Sequence, residues 1–260
     1  MAYATMEAKE VATMTEEYTT TSNEEKGWGH RFLDILKWLG LMIWGTLPMG
    51  LMLVVNGNSH RFSWPVVAGL TLLVLAFAYV TYRFLYNFYY KRAQGKDNFD
   101  RLGWKDVGIV FLYYIGVRLA VVVLTMANQA VYETGVSAND QMLFSGDPDL
   151  ISPISNIAFF IMMGFAVPFL EELVFRGIFQ HLFFKAESFW WPLVLSSLIF
   201  GLNHLSSNII EALMYIIIGV ALYLAYRRRR NLKDAILLHM MNNGFAAIIL
   251  LGTYLFQVFG

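Results

Sequence analysis

The chain alternates long apolar stretches with short polar breaks from about residue 34 to its end. A bilayer core about 30 Å thick needs roughly 20 helical residues, which is the length of these stretches. Strict apolar–polar alternation with a turn every ten residues is absent, so the pattern favours helices over an outer-membrane barrel. The sequence predicts an all-α, polytopic transmembrane helical bundle. Its seven predicted spans cover about 35–55, 64–86, 107–130, 154–180, 189–207, 209–226 and 233–256.

The composition agrees with a multi-pass protein of the cell membrane. Hydrophobic residues make up 57% of the chain and charged residues only 15%, whereas a soluble domain is about 25% charged. The 19 basic and 19 acidic residues balance, so no overall positive field indicates a nucleic-acid partner. The absence of cysteine excludes disulfides, thiolate metal sites and cysteine nucleophiles. The lipid bilayer is the expected partner, and nothing in the sequence specifies an oligomeric state.

Three regions differ in character. Residues 1–33 are rich in glutamate, threonine and serine and contain almost no long apolar run, which predicts a mobile polar N-terminal tail. Residues 34–153 hold three spans and their loops. Residues 154–256 hold four spans and most of the ionisable residues that lie within apolar sequence.

The placement of Lys and Arg predicts the orientation. Basic residues concentrate in two of the loops, whereas the connector 131–153 carries acidic residues and neither Lys nor Arg. Because cytoplasmic loops are enriched in Lys and Arg, we expect the N-terminus inside and the C-terminus outside. The basic residues concerned are Arg83, Lys91, Arg92, Lys96, Arg101, Lys105, Arg227, Arg228, Arg229, Arg230 and Lys233.

Two adjacent carboxylates, Glu171 and Glu172, lie inside the fourth apolar span, where a charge costs about 2.5–3.5 kcal/mol at the helix centre. A helix turns about 100° per residue, so the two side chains point to different faces. Glu172 and Arg176 are one turn apart and can form an ion pair, which leaves Glu171 free. Pro168 cannot donate to the carbonyl of Gly164, so a kink is predicted just before the pair.

Two other spans contain histidines. His204 ends the fifth span, and His239 lies in the seventh with Asn243 one turn later. Each residue alone could equally be a packed, hydrogen-bonded side chain. Together with a free carboxylate, however, they are what activation of a water requires: a general base, a histidine that shares its proton, and a carboxamide that donates to the oxyanion. Arg118 in the third span is expected to be structural, either paired with a glutamate or reaching an interface.

Three short motifs occur in order on successive apolar segments. These are EExxxR at Glu171, Glu172 and Arg176, FxxxH at Phe200 and His204, and HxxxN at His239 and Asn243. In these motifs the chain resembles the CPBP family of intramembrane proteases, which contains the type II CAAX prenyl endopeptidases and the bacterial Abi proteins. The resemblance covers about residues 154–250, so 154–256 is expected to be the catalytic helical core.

The resemblance also implies roles for the motif residues. Glu171 and His204 would activate the attacking water, while His239 and Asn243 would complete the site and stabilise the oxyanion. The adjacent Asn242 leaves open which carboxamide takes part. The supporting residues would be Glu172 and Arg176.

The function implied is that of a bacterial intramembrane endopeptidase that cleaves a membrane-associated peptide or protein. The prenyl-protease substrate is not implied, because bacterial relatives are associated with bacteriocin immunity, peptide maturation and regulation of surface proteins. The alternative is a non-catalytic immunity or scaffold protein of the same fold, although intact Glu171 and His204 argue against it. A secondary transporter would need a repeat relating both halves, yet the motifs lie only in the second half.

The donor types of the motif residues raise the question whether the site needs a metal ion. Glu171, His204 and His239 match the donor types of a catalytic zinc site. HExxH is absent and the resemblance implies glutamate-dependent proteases, so no cofactor is expected and zinc is the alternative.

With straight helices, His204 and His239 differ by about 8–10 Å in depth. The site is expected near mid-membrane, opening toward the cytosol.

Overall fold

The computed structural model describes residues 27–144 and 150–259. Most of the predicted polar tail, residues 1–26, therefore lies outside the described residues. The chain divides into two units, Met1–Lys37 and Trp38–Gly260. In the first unit the described residues are helical from Trp28. All the motif residues lie in the second unit.

The described chain folds into eight helices, and none of its residues is in a strand. Six of these helices are long and apolar enough to cross a membrane, and many large apolar side chains, such as Leu73 and Leu112, are exposed on them as a lipid-facing surface. The protein is thus a multi-pass membrane protein with the predicted all-α bundle. The helices are α1 (Trp28–Gly57), α2 (Trp64–Ala93), α3 (Trp104–Tyr132), α4 (Ala138–Phe144), α5 (Pro153–Phe183), α6 (Trp190–Leu202), α7 (Ile209–Arg229) and α8 (Leu232–Phe259).

Helix α6 is shorter than the predicted span 189–207. It contains 13 residues and is therefore about 20 Å long, less than a bilayer core. Residues 203–208 continue without helical structure. Asn208 then caps α7 by accepting a hydrogen bond from the backbone N–H of Glu211 at 3.1 Å. The asparagines and serines of this stretch favour turns and caps over helix, which explains why α6 ends early.

Helix α5 contains two π-helical turns, Met162–Ala166 and Leu173–Ile178. The first turn directly precedes Pro168, so the predicted kink takes the form of a widened turn that accommodates the missing N–H. At the second turn, Trp38 Nε1 donates to the carbonyl of Val174 at 3.1 Å. The most apolar window of α5 is 61% buried, against 11% for α3. Helix α5 is therefore the central helix, and α3 faces mainly lipid.

The loops sort to the two ends of the bundle. At one end, the backbone N–H of Asn98 donates to the carbonyl of Arg230 at 2.8 Å, and Arg228 pairs with Asp106 at 2.7 Å. At the other end, the backbone N–H of Ala138 donates to Glu211 at 3.1 Å. The two basic loops therefore lie at the same end of the bundle, and the acidic connector lies at the other end. A single membrane orientation that fits all three loops requires this arrangement. Which end faces the cytosol stays a prediction.

The orientation can be measured by single-cysteine labelling, because the chain contains no cysteine of its own. Arg101 and Glu133 are both exposed and lie in loops at opposite ends. We expect Glu133→Cys to react with a membrane-impermeant maleimide in intact cells, and Arg101→Cys to react only after the cells are opened. The reverse pattern would invert the predicted orientation.

Gly201 allows α6 and α7 to approach closely. A Cβ at this position would collide with the Ile216 side chain and lie 2.9 Å from the Ile216 backbone nitrogen. We expect Gly201→Ala to destabilise the protein by about 1–3 kcal/mol, measured as thermal unfolding in detergent. Gly69→Ala in α2 is the matched control, since nothing lies within 4 Å of its Cβ; it should be neutral or slightly stabilising. Equal stability of both variants would contradict the close packing.

Candidate active site

Arg176 joins three helices. Its Nη1 donates to Glu172 Oε1 at 3.1 Å, and both side chains are fully buried. Its Nη2 donates to the carbonyl of Gly219 on α7 at 3.1 Å. The guanidinium also lies 4.3 Å from the centroid of the Phe200 ring on α6. The ion pair predicted from the i, i+4 spacing is confirmed, and it also connects α5 to α6 and α7.

His239 on α8 lies between the two glutamates. Its Nδ1 donates to Glu172 Oε1 at 2.8 Å, and its Nε2 is 3.8 Å from Glu171 Oε2. Glu171 remains 15% exposed, and its Oε2 has no hydrogen-bond partner within the described chain. The two adjacent carboxylates therefore differ: Glu172 is fully buried and its Oε1 accepts from both Arg176 and His239, while Glu171 is partly exposed and has only the longer contact with His239.

His204 lies just beyond the end of α6. Its Nδ1 donates to the carbonyl of Phe200 at 2.8 Å, and its ring stacks on Tyr215 with the centroids 4.4 Å apart. The Phe200 ring contacts both histidines, at 4.6 Å from His204 and 5.7 Å from His239 between centroids. The Phe200 ring thus lies between the two histidines and contacts both, although straight helices would place these histidines at different depths in the membrane.

His204, Asn242 and Asn243 line one cavity of about 180 Å³. Asn242 Nδ2 donates to Asn243 Oδ1 at 3.1 Å, which leaves the amide N–H groups of Asn243 as donors. The cavity is also lined by Asn139 and Asp140, which belong to the acidic connector. The connector lies at the end opposite the basic loops, so the predicted orientation and the predicted opening toward the cytosol do not agree with each other, and neither is tested by the structure.

Sequence reasoning missed Asp140 and Tyr215 and expected Arg118 to be structural. All three line the cavity, and no described carboxylate lies within ion-pair distance of Arg118, so the expected pairing with a glutamate is wrong. Burial raises the pKa of Asp140 above its ordinary value, although hydrogen bonds from Ser137 and Asn139 oppose the shift. Asp140 was missed because its place in the acidic connector already explained it as a signal of membrane orientation. Tyr215 was missed because no sequence pattern distinguishes it from other aromatic residues.

Glu211 is a second buried carboxylate that sequence reasoning missed. It is fully buried and accepts hydrogen bonds from the backbone N–H of Ser207 at 2.9 Å and from that of Ala138 at 3.1 Å. Asn128 and Asn208 donate to it at 3.5 and 3.2 Å. Glu211 therefore ties the non-helical segment after His204 to α3 and α4.

The zinc alternative can be compared with this geometry. In residues 27–144 and 150–259, no three His, Asp or Glu side chains are grouped closely enough to hold a metal ion. His239 Nδ1 bonds to Glu172 and His204 Nδ1 to the Phe200 carbonyl, which is how metal-binding histidines are commonly held with Nε2 left for the ion. The orientation of the two histidines therefore suits zinc, although the described side chains are not grouped around one point, and the metal requirement stays a prediction.

Comparison with known proteins agrees with the motifs. Residues 153–245 match the family model described as Type II CAAX prenyl endopeptidase Rce1-like, which confirms the resemblance over the segment that contains every motif residue. No solved structure matches the chain significantly.

Three curated relatives are similar to the chain. UPF0177 protein YaiF of Lactococcus lactis subsp. lactis is 27% identical over 55% of this chain and 63% of its own length. The protein named "Putative membrane peptidase YdiL" of Bacillus subtilis is 30% identical over 32% of this chain and 33% of its own length. UPF0177 protein YvdC of Lactococcus lactis is 24% identical over 82% and 77%. The chain thus covers less than two thirds of the first two relatives.

The buried ion pair can be tested by removing one charge or both. We expect Arg176→Met to destabilise the protein by about 3–5 kcal/mol, because Glu172 would remain buried without its cation. The double variant Glu172→Gln, Arg176→Met should recover a large part of this loss. Thermal unfolding in detergent measures both. A double variant that is less stable than Arg176→Met alone would contradict the charge compensation.

Proposed function

We propose that the protein is an intramembrane endopeptidase that hydrolyses a peptide bond of a membrane-associated peptide or protein. One observation carries the proposal: Glu171 is partly exposed, with its Oε2 3.8 Å from His239 Nε2, while its neighbour Glu172 is fully buried and its Oε1 is held by Arg176 and His239. The match to the Rce1-like family and the relative named as a membrane peptidase support this class of activity.

Glu171 and His204 activate the water. The unpartnered Oε2 of Glu171 accepts a proton from the attacking water, acting as the general base. Because His204 Nδ1–H is used by the Phe200 carbonyl, its Nε2 carries the lone pair and can share that proton. The same proton is then delivered to the leaving amine when the tetrahedral intermediate collapses.

Asn243 and His239 stabilise the oxyanion. The Asn243 amide is oriented by the hydrogen bond from Asn242 and donates to the developing negative charge. His239 completes the site, since its Nδ1 bonds to Glu172 at 2.8 Å and its Nε2 lies 3.8 Å from Glu171.

A mechanism without a metal is proposed because HExxH is absent from the sequence and, within the described residues, the three candidate zinc ligands are not grouped. The proposed class is therefore a glutamate-type protease. A cavity with polar walls inside an apolar bundle suits a substrate that is itself delivered through or along the membrane.

Cleavage of a library of apolar membrane peptides by detergent-purified protein tests the proposal, with products identified by mass spectrometry. We expect Glu171→Gln and His204→Ala to lower kcat by at least about 100-fold, because each removes a proton acceptor. Glu133→Gln and His60→Ala are matched controls, since both residues are exposed outside the cavity, and they should cleave as the unaltered protein does. Chelator should leave the rate unchanged.

Three outcomes would contradict parts of this proposal. Loss of cleavage on chelation with recovery on addition of zinc would make the protein a metalloprotease. Full activity of the Glu171 and His204 variants would refute the assignment of the site. Absence of cleavage by the unaltered protein would favour the non-catalytic immunity or scaffold protein.

A further inference from the structure

Arg118 is placed unusually for an arginine in a membrane helix. It is the one charged residue of α3 between Asp106 and the end of the helix at Tyr132. It therefore lies near the middle of the helix that is least buried by protein. An ionisable residue at this depth is normally oriented toward a partner or a polar cavity.

No partner within the described chain accounts for the charge of Arg118. Residues 27–144 and 150–259 place no carboxylate within ion-pair distance of its guanidinium, and the Phe245 ring is 6.0 Å away. Asp140 lines the same cavity, but its carboxyl group interacts with Ser137 and Asn139. The guanidinium thus keeps its donors available toward the cavity.

The cavity connects Arg118 to the proposed chemistry. Arg118, His204 and Asn243 all line its wall, and its volume is about 180 Å³. A peptide segment that reaches Asn243 must therefore pass close to Arg118. A guanidinium binds a carboxylate through two parallel hydrogen bonds, and this pairing is stronger where water is excluded.

We infer that Arg118 is a specificity-determining residue that binds a carboxylate of the peptide substrate close to the scissile bond. This inference rests on the proposed endopeptidase function. The carboxylate can come from the C-terminus of the peptide or from an Asp or Glu side chain. Both present the same chemistry to the guanidinium, and the two sources are separated by experiment.

The test uses one apolar peptide in four forms, presented in detergent micelles. The forms combine a free C-terminal acid or a C-terminal amide with a single Glu or Gln near the cleaved bond. We expect the unaltered protein to favour one carboxylate form by about 10- to 100-fold in kcat/KM over its neutral counterpart. Preference for the acid over the amide identifies the C-terminus; preference for Glu over Gln identifies the side chain.

The decisive variant is Arg118→Gln. It should abolish the preference by lowering cleavage of the carboxylate peptide to the level of its neutral counterpart, while Arg118→Lys should keep part of it. Arg83→Gln is the matched control, because Arg83 is exposed on α2 and does not line the cavity; it should keep the full preference. A merely structural role for Arg118 would lower cleavage of all four peptides equally.

The outcomes separate this inference from the proposed function. Cleavage that depends on Glu171 but shows no carboxylate preference overturns the role of Arg118 alone. If nothing is cleaved, binding of the same peptides to Glu171→Gln protein still tests Arg118, since the acid or Glu form should bind more tightly only when Arg118 is present. Equal binding of all forms would overturn the inference.

Discussion

The arrangement of the helices depends on how two adjacent carboxylates are accommodated in an apolar helix. Glu172 is fully buried and is compensated by Arg176 on its own helix and by His239 on α8. Because Arg176 also donates to the Gly219 carbonyl, the same charge group sets the positions of α5, α7 and α8 relative to one another. Removing any member would leave a buried charge or donor without its partner, which is the costly case for ion pairs in low dielectric.

Glu171 and Glu172 are adjacent in the chain but lie in different environments. Glu172 is fully buried and accepts two hydrogen bonds at its Oε1, whereas Glu171 is partly exposed and has only a 3.8 Å contact with His239. Environments that separate two carboxylates in this way commonly assign one to structure and the other to chemistry. The helical offset of about 100° between neighbours accounts for the difference, since one side chain points to Arg176 and the other past it.

The sequence predicted the helical bundle and the pairing of Glu172 with Arg176, whereas the catalytic roles of the motif residues stay predictions. It did not predict the early end of α6, because hydropathy alone does not distinguish 13 helical residues followed by a polar turn from a full span. Asp140 and Tyr215 were missed for a different reason. Their place on the cavity depends on contacts between segments far apart in the chain, such as the ring of Tyr215 on His204, and periodicity carries no information on such contacts.

The early end of α6 also explains how a polar cavity can exist at this depth. Non-helical backbone is tolerated within a membrane only where its polar groups are bonded to protein or line a water-filled space. Glu211 meets this condition for the segment after His204, since it accepts the N–H of Ser207 and joins the segment to α3 and α4. The break in α6 therefore releases His204 from the helix and leaves a polar space beside it, which Asn139 and Asp140 also line.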